Sequence, residues 1–303
     1  MYNASTYAVN YCIIGLSWIG FDDVEAIRAK IAYVKCISQE EEATCESDTI
    51  CRFLLWLRVI PFVGLLKISE DGTVELLTDE AEGVKFKLTD CVDVAQNGML
   101  YFTDASHKYS LKDFTSDILG GRPHGRLTSY NPTTKETEVL VHNLYFANGV
   151  AVSPDQNFVV LCETVMRRCR KYYLQGSKKG SVENFIDHLP GFPDNIRYDG
   201  EGQYWIALAT EVTPFWDLAL RYPFIRKVLA IVKRCAAGRP HMEKNAGVLA
   251  VNLNGEPTAH YSDPELFLIS SGIKIGNYLY CGSIVNPYII RLDVHQHPAL
   301  PTT

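Results

Sequence analysis

The chain has 303 residues, 47% of them hydrophobic, which is enough for one large domain or two ordinary ones. Its formal net charge is -6, and a mildly acidic chain argues against nucleic acid as the main partner. Nine cysteines are present without a Cys-x-x-Cys pair, so a zinc ribbon or a thioredoxin-type redox pair is not favoured. Apolar surroundings predict that Cys91, Cys162 and Cys281 are small buried hydrophobes.

Residues 1–61 form an atypical N-terminal segment in which the alternation typical of strands is absent. The apolar run from Ala8 to Phe21 has no preceding basic residue, so it gives no clear signal peptide. The run from Ile50 to Leu66 contains two arginines and a proline, which argues against a membrane span. Asn3 opens an acceptor sequence for N-glycosylation.

A repeated pattern follows in residues 62–296, which we predict to be one β-propeller domain with a tail at 297–303. Each repeat has a small or polar pair, alternating Val or Ile, a turn rich in Gly, Asn or Asp, and an aromatic or β-branched run. This alternation has the period of strands, and further strand pairs between the repeats give a unit of about 45 residues, the size of a propeller blade. The alternative is a β-sandwich with accidental similarity. The repeats begin at Leu88, Phe146, Phe192 and Ile269.

Two insertions interrupt the repeats. Ser110–Gly121 has apolar residues at helical spacing and ends in two glycines. Thr213–Cys235, within a larger insertion at 211–244, has an apolar stripe flanked by basic residues and is predicted to be helical. It serves either as a lid on the propeller or as a contact with a membrane surface.

The repeats place Asp90, Asn148 and Asp194 at one equivalent position, which Ser271 occupies in the last repeat. Equivalent positions on successive blades point to one channel mouth, so two carboxylates and an amide oxygen are expected to converge there. Such oxygen ligands suit calcium or magnesium better than zinc. The alternative is that each residue caps its own turn.

A base near this position would activate water. His107 follows the motif "YFTDAS" and is the candidate base, and His124 is a second histidine of the same region. Glu163 ends a strand and is expected to face the channel, and Asp104 has a similar place. A lone histidine is more often structural, so this assignment is the weaker part of the prediction.

Several motifs resemble those of the strictosidine synthase-like family, which includes plant strictosidine synthase-like proteins and the animal adipocyte plasma membrane-associated protein. The resemblance implies an all-β, six-bladed propeller, of which about four blades are recognisable here, so that the domain is incomplete at its N-terminal end. It also implies the secretory route or the vacuole as the location. The resemblance extends from Gly64 to Asp293 and rests on "YFTDAS", "GRLTSYNPTTKETEVL", "FANGVAVSPD", "KGSVENFIDHLPGFPDNIR" and "YWIAL".

The family is similar to calcium-dependent lactonases and paraoxonases, whose metal ligands match Asn148 and Asp194 here, while Asp90 stands where they usually carry Asn. A further glutamate ligand from the first blade has no counterpart. The catalytic glutamate of true strictosidine synthase aligns with Ser270, and Tyr109 matches a tyrosine that lines the synthase pocket.

The expected function is therefore a metal-assisted hydrolase of esters or lactones that acts on a small molecule. Calcium would be bound by Asp90, Asn148 and Asp194, His107 would act as base, and Tyr109, Glu163 and Ser270 would line the substrate pocket. Two alternatives remain. One is a synthase-type amine–aldehyde condensation, which Ser270 disfavours because proton transfer needs a carboxylate. The other is a non-catalytic propeller that binds a ligand or a protein.

Overall fold

The computed structural model describes residues 57–60, 63–69, 73–235, 244–285 and 288–299. The predicted glycosylation site and the apolar run near the N-terminus lie outside these residues. Among the helices described, none is long and apolar enough to cross a bilayer.

Five antiparallel sheets follow one another along the chain, and strands adjacent in sequence pair with each other in every sheet. Sheet 1 contains β1 (Leu57–Ile60), β2 (Gly64–Ile68) and β3 (Val74–Thr78), and a small hairpin of β4 (Glu80–Ala81) and β5 (Val84–Lys85) follows it. Sheet 2 contains β6 (Thr89–Val94), β7 (Leu100–Asp104), β8 (Gly125–Asn131) and β9 (Glu136–Leu144). Sheet 3 contains β10 (Ala147–Val152), β11 (Phe158–Glu163), β12 (Arg168–Tyr173) and β13 (Val182–Ile186). Sheet 4 contains β14 (Gly191–Tyr198), β15 (Gln203–Glu211), β16 (Ala246–Asn252) and β17 (Pro257–Asp263), and sheet 5 contains β18 (Ile269–Ile275), β19 (Tyr278–Ser283) and β20 (Ile290–Asp293).

The first strand of each sheet is the innermost one. Strand β10 lies between β6 and β14, β14 also contacts β18, and β1 contacts β6, so the sheets are arranged around one axis. The predicted all-β propeller is confirmed, with three four-stranded blades and two three-stranded sheets in the part of the chain that is described. Strand β1 begins at Leu57, so the domain start predicted at residue 62 falls after the first strand of sheet 1.

Hairpins join the first and second strands of these blades, as the sequence predicts. Gly98 and Gly276 have φ angles of 84° and 55° in two of these turns, and glycine adopts this left-handed backbone without steric cost. At the bend between β8 and β9, the side chain of Asn131 accepts a hydrogen bond from the backbone N–H of Thr133. These local turn residues explain why pairing follows sequence order.

The two insertions are helical, as predicted. Helix α1 (Phe114–Gly120) follows a 3-10 turn and ends at Gly121, which is left-handed with φ 55°. Helix α2 (Pro214–Arg221) begins at Thr213, whose side chain accepts a hydrogen bond from the backbone N–H of Trp216. Helix α3 (Pro223–Cys235) starts at a proline, which explains why the predicted stretch is divided into two helices.

The core lies between neighbouring sheets rather than inside any one of them. Leu161 of sheet 3 packs with residues of sheet 2, and Ile206 of sheet 4 packs with residues of sheet 3. Cys162 and Cys169, which face each other across β11 and β12, form a disulfide. The prediction of a simple buried thiol is therefore wrong for Cys162, whereas Cys91 and Cys281 are buried and free as expected.

Candidate functional site

A β-bulge interrupts the innermost strand of sheets 2, 3, 4 and 5 at corresponding places. A bulge leaves an extra residue without a partner across the ladder and turns its side chain in a new direction, and such bulges are common beside active sites. The extra residues include Asp90, Asn148 and Asp194, so the repeat position predicted from the sequence corresponds to a repeated backbone feature. The shifts in register fall between Thr89 and Val92, Ala147 and Val150, Pro193 and Ile196, and Ile269 and Ser271.

The structure brings Asp90, Asn148 and Asp194 together, and we call these three residues the channel cluster. All three are buried, with exposed fractions of 8%, 4% and 4%. The Asn148 amide hydrogen-bonds to the Asp194 carboxylate, and Asp90 lies close enough to raise the pKa of Asp194 by its charge. In the last repeat the bulge contains Ser270, one residue earlier than the Ser271 expected from the sequence.

Burial is the main electrostatic influence on the channel cluster. It raises the pKa of Asp90 to about 7, against the opposing charge of Arg197. It also raises the pKa of Asp194 well above the ordinary value, and the neighbouring charge of Asp90 adds to this effect. If both carboxylates were ionised they would repel each other, and a bound cation would relieve this repulsion and lower both pKa values.

Unsatisfied oxygens in the channel cluster fit the same interpretation. Among the described residues, Oδ1 of Asp90 and Oδ1 of Asn148 are buried without a hydrogen-bond partner. Buried acceptors of this kind are costly unless a donor or a cation meets them. The donor set is oxygen only, which suits Ca²⁺. It includes only two carboxylates, and no group of three or more His, Cys, Asp or Glu side chains in the described part could hold a metal.

The residue after Asp194 explains the unusual Asp-Asn pair. Asn195 donates from Nδ2 to Oδ1 of Asp194 at 3.0 Å and to the backbone oxygen of Ser270 at 2.8 Å. Similar contacts join the other blades, because Thr103 donates to the backbone oxygen of Asn148 at 2.5 Å. Asp194 therefore faces the cluster, while Asn195 holds its orientation and ties sheet 4 to sheet 5.

Arg197 is a member of the site that the sequence did not reveal. Its Nη1 lies 3.2 Å from Sγ of Cys91, and its charge acts on Asp90 and Asp194. Strict alternation places residues 194 and 197 on opposite faces of a strand. The bulge between Pro193 and Ile196 changes that alternation, so both side chains reach the channel.

A second group of polar side chains lies at the end of sheet 2 that carries Asp90. Thr89, just before Asp90, pairs with Asp104 at the end of β7, and the second group belongs to the segment that follows Asp104. We call His107, Tyr109, Asp117 and His124 the loop cluster. Nδ1 of His124 lies 2.5 Å from Oδ1 of Asp117. The His124 ring is also in edge-on contact with the rings of His107 and Tyr109, at centroid distances of 5.7 and 5.6 Å.

The histidines of the loop cluster differ in their surroundings. Burial lowers the pKa of His107, and the charge of Arg126 adds to this effect. Its Nδ1 is buried and meets no hydrogen-bond partner among the described residues. Burial raises the pKa of Asp117, although the hydrogen bond from His124 opposes this.

The three predicted pocket residues belong to different parts of the propeller: Tyr109 to the loop after β7, Glu163 to the end of β11 and Ser270 to β18. Tyr109 belongs to the loop cluster, and Ser270 is 2% exposed beside the channel cluster. Glu163 is fully buried within sheet 3, where Oε2 lies 2.6 Å from Nε of Arg168 and Oε1 accepts from the Tyr145 backbone at 2.9 Å. Both oxygens of Glu163 are therefore engaged in hydrogen bonds within the blade, and its place in the substrate pocket stays a prediction.

Comparison with known proteins gives a consistent picture. The family model described as strictosidine synthase matches residues 90–177. The chain is 57% identical over 239 residues to Protein strictosidine synthase-like 6 of Arabidopsis thaliana, covering 78% of the chain and 63% of that relative. It is 31% identical over 295 residues to the adipocyte plasma membrane-associated protein of Rattus norvegicus, covering 90% of the chain and 77% of that relative. The chain thus spans less than two thirds of the plant relative's length.

Solved structures show the same fold at low sequence identity. A gluconolactonase from Xanthomonas campestris superposes with a TM-score of 0.51 at 15% identity, over 75% of this chain and 65% of that chain. A chain of a nidogen/laminin complex superposes with a TM-score of 0.50 at 11% identity, over 78% and 70% of the two chains. At such identities the likeness shows the fold alone.

Proposed function

This chain belongs to the strictosidine synthase-like family, and from that premise we propose that it is a metal-assisted hydrolase of esters or lactones. The observation that carries the proposal is the pair of buried, unpartnered oxygens on Asp90 and Asn148 beside a second carboxylate. A fold shared with a gluconolactonase makes the scaffold compatible with this chemistry.

Asp90, Asn148 and Asp194 would hold a calcium ion. When bound, calcium would polarise the carbonyl of the substrate and stabilise the negative charge that develops on its oxygen. The chain itself supplies the arrangement of ligands: the bulges direct the three side chains, and Asn195 fixes the Asp194 carboxylate by a hydrogen bond of 3.0 Å.

His107 would take the proton from the attacking water. Burial keeps its pKa below the ordinary value of 6.5, so its ring is neutral at neutral pH and able to accept a proton. His124, held by Asp117, would orient the neighbouring ring, and Tyr109 would form part of the wall around the substrate.

Ser270 supports hydrolysis over a synthase-type condensation. Its hydroxyl cannot replace the carboxylate that moves protons to and from the amine in that reaction. The non-catalytic alternative, a propeller that binds a ligand or a protein, is kept as an outcome of the experiment below.

We also propose that the protein travels the secretory route, with the vacuole as a destination. The disulfide between Cys162 and Cys169 supports this location, because disulfides persist in oxidising compartments and are rare in the cytosol.

The test combines calcium-dependent stability with turnover. We expect calcium at about 100 times its Kd to stabilise the purified chain by about 2.7 kcal/mol, and a chelator to reverse the shift in Tm. Asp194→Asn should abolish the shift, whereas Glu163→Gln, which removes an equally buried carboxylate outside the cluster, should keep it. A panel of lactones and aryl esters then measures hydrolysis, which His107→Gln should slow by about a hundredfold or more.

The outcomes separate the candidate functions. A Tm that is indifferent to calcium and chelator contradicts the metal site. Calcium stabilisation without hydrolysis of any substrate on the panel favours the non-catalytic propeller. Condensation of an amine with an aldehyde by this chain would contradict the interpretation of Ser270.

A further inference from the structure

The helical insertion between β15 and β16 exposes a concentration of large apolar side chains. Six of the fourteen exposed large hydrophobic side chains in the described residues lie between Phe215 and Ile231. Phe224 and Ile231 are 65% and 62% exposed. Contiguous exposed apolar surface of this kind marks an interaction site. We call this surface the docking face: Phe215, Leu218, Tyr222, Phe224, Val228 and Ile231.

Five of the six residues lie along one side of a helix, and Tyr222 lies between the two helices. In α2, Leu218 follows Phe215 at position i+3. In α3, Val228 follows Phe224 at i+4 and Ile231 follows Val228 at i+3, which is the spacing of one helical face. Other residues attach the insertion to the propeller. Ala219 is fully buried, and the Trp216 ring contacts the Phe192 ring of β14 at a centroid distance of 5.6 Å. These contacts hold α2 against the propeller, while the docking-face residues stay exposed.

The charge of the insertion is opposite to that of the whole chain. Residues 213–235 contain five basic side chains and one acidic side chain, a net of +4, whereas the chain carries -6. The one acidic side chain, Asp217, lies 3.2 Å from Arg167. Arg221 and Lys227 are exposed beside the apolar residues. A second copy would bring two positive faces together, so the charge favours an anionic partner.

We propose that the docking face binds the surface of an anionic lipid bilayer. The apolar side chains would enter the boundary between headgroups and acyl chains, while Arg221 and Lys227 would meet the negative headgroups. This binding lies in the plane of the surface and needs no spanning helix. It does not depend on the proposed hydrolase activity.

The position of the docking face adds a consequence for the candidate site. Arg226 of α3 lies against Gly121 at the end of α1, and α1 carries Asp117 of the loop cluster. A membrane bound at the docking face would therefore lie near the loop cluster. Access of lipid-dissolved substrates from the bilayer would follow from this position, and this consequence, unlike the binding, rests on the proposed function.

Sedimentation of the full chain with vesicles tests the proposal. The probes are vesicles of phosphatidylcholine alone and of phosphatidylcholine with about 30% phosphatidylserine. We expect binding to the anionic vesicles that weakens as salt increases. The double variant Phe224→Ser with Ile231→Ser should bind at least about tenfold more weakly. Arg221→Gln with Lys227→Gln should lose about tenfold on the anionic vesicles only.

Leu76→Ser with Tyr288→Ser is the matched control, because both residues are 50% exposed but lie on other surfaces. It should bind the anionic vesicles as the unaltered chain does, and circular dichroism and Tm verify that every variant is folded. Absence of vesicle binding by the unaltered chain overturns the proposal, as does equal binding by the Phe224/Ile231 variant. Dimerisation in the ultracentrifuge that this variant abolishes, without vesicle binding, would assign the face to a second copy.

Discussion

Asp104 and Glu163 are buried at least as deeply as Asp90 and Asp194. Unlike Asp90, however, each of them has a hydrogen-bond partner at both carboxylate oxygens. Asp104 accepts from Arg126 at 2.6 Å and from the backbone of Leu88 at 3.2 Å. Glu163 has the same kind of partners, an arginine on the next strand and a backbone N–H ahead of the innermost strand. In the channel cluster, two carboxylates instead lie beside each other, and one Asp90 oxygen meets no partner among the described residues.

Hydrogen-bond partners, rather than depth of burial, separate the carboxylates that hold the blades together from those proposed to bind an ion. We call Asp104 with Arg126 and Glu163 with Arg168 the paired set. The two carboxylates lie at the ends of β7 and β11, where each pair connects three strands of its blade. The carboxylates of the channel cluster lie at β-bulges of innermost strands, where the regular pairing of the strands is interrupted. Burial alone does not distinguish them; the partners do.

The largest expected effect comes from breaking the paired set. Arg126→Met leaves the fully buried Asp104 without its counter-charge and should reduce the free energy of unfolding by about 3–5 kcal/mol. Urea denaturation measures this loss. Replacing both residues together, Asp104→Leu with Arg126→Met, should cost clearly less than the single change, and an equal or greater cost would show that the charge itself is not the cause.

The next contrast applies one chemical change to both sets. Glu163→Gln weakens the charge-assisted bond from Arg168 and should cost about 1.5–3 kcal/mol. Asp194→Asn removes the repulsion with Asp90, so the calcium-free chain should be at least as stable as before. Chemical denaturation in chelator compares the two variants. A large loss from Asp194→Asn would mean that the channel carboxylate is architectural as well.

The packing of the bulges offers a third test. A Cβ on Gly149 would lie 2.5 Å from the backbone nitrogen of Ile196 and 2.6 Å from the backbone oxygen of Asp194. Gly149→Ala should therefore cost about 1–3 kcal/mol and reduce the calcium response, because it displaces the strand that carries Asp194. Gly120→Ala, where a Cβ would meet no atom within 4 Å, is the control. Equal Tm values for the two variants would contradict the packing described here.

The smallest expected effect concerns His107 of the loop cluster, which lies near Asp104 and Arg126. Its pKa in the fold is below the ordinary 6.5 because of burial and then the charge of Arg126. As the pH falls below 6.5, the unfolded chain binds a proton that the folded chain does not, so stability is lost until the pH passes the folded pKa. Denaturation at about pH 7.5 and about pH 5.5 should show a smaller loss for His107→Gln than for the unaltered chain. The same loss in both would place this pH dependence elsewhere.

Much of the blade structure could be predicted from local residues. The alternation around Val150 and Ile196 predicted strands, and the glycines at 98 and 276 predicted the hairpins, because both signals act between neighbours in sequence. The equivalence of Asp90, Asn148 and Asp194 also followed from the repeat. The helical spacing of the apolar residues in 110–121 and 213–235 was sufficient to predict the helical insertions.

Other features depended on contacts between residues far apart in sequence. The disulfide of Cys162 required the register of β11 and β12, and the placement of Glu163 required an arginine five residues later to lie opposite it. Arg197 reaches the channel only because a bulge changes the alternation of β14. Asp117 meets His124 because α1 folds back over the end of sheet 2.

The strands, the turns, the family and the three oxygen-bearing positions could be predicted from the amino-acid sequence, since these depend on periodicity and on residue type. Which buried carboxylates have hydrogen-bond partners and which do not became visible in the folded chain. The reason is physical: hydrogen bonds and charge effects act over a few ångströms in space, and bulges and register, which place those atoms, are set by the packing of whole sheets.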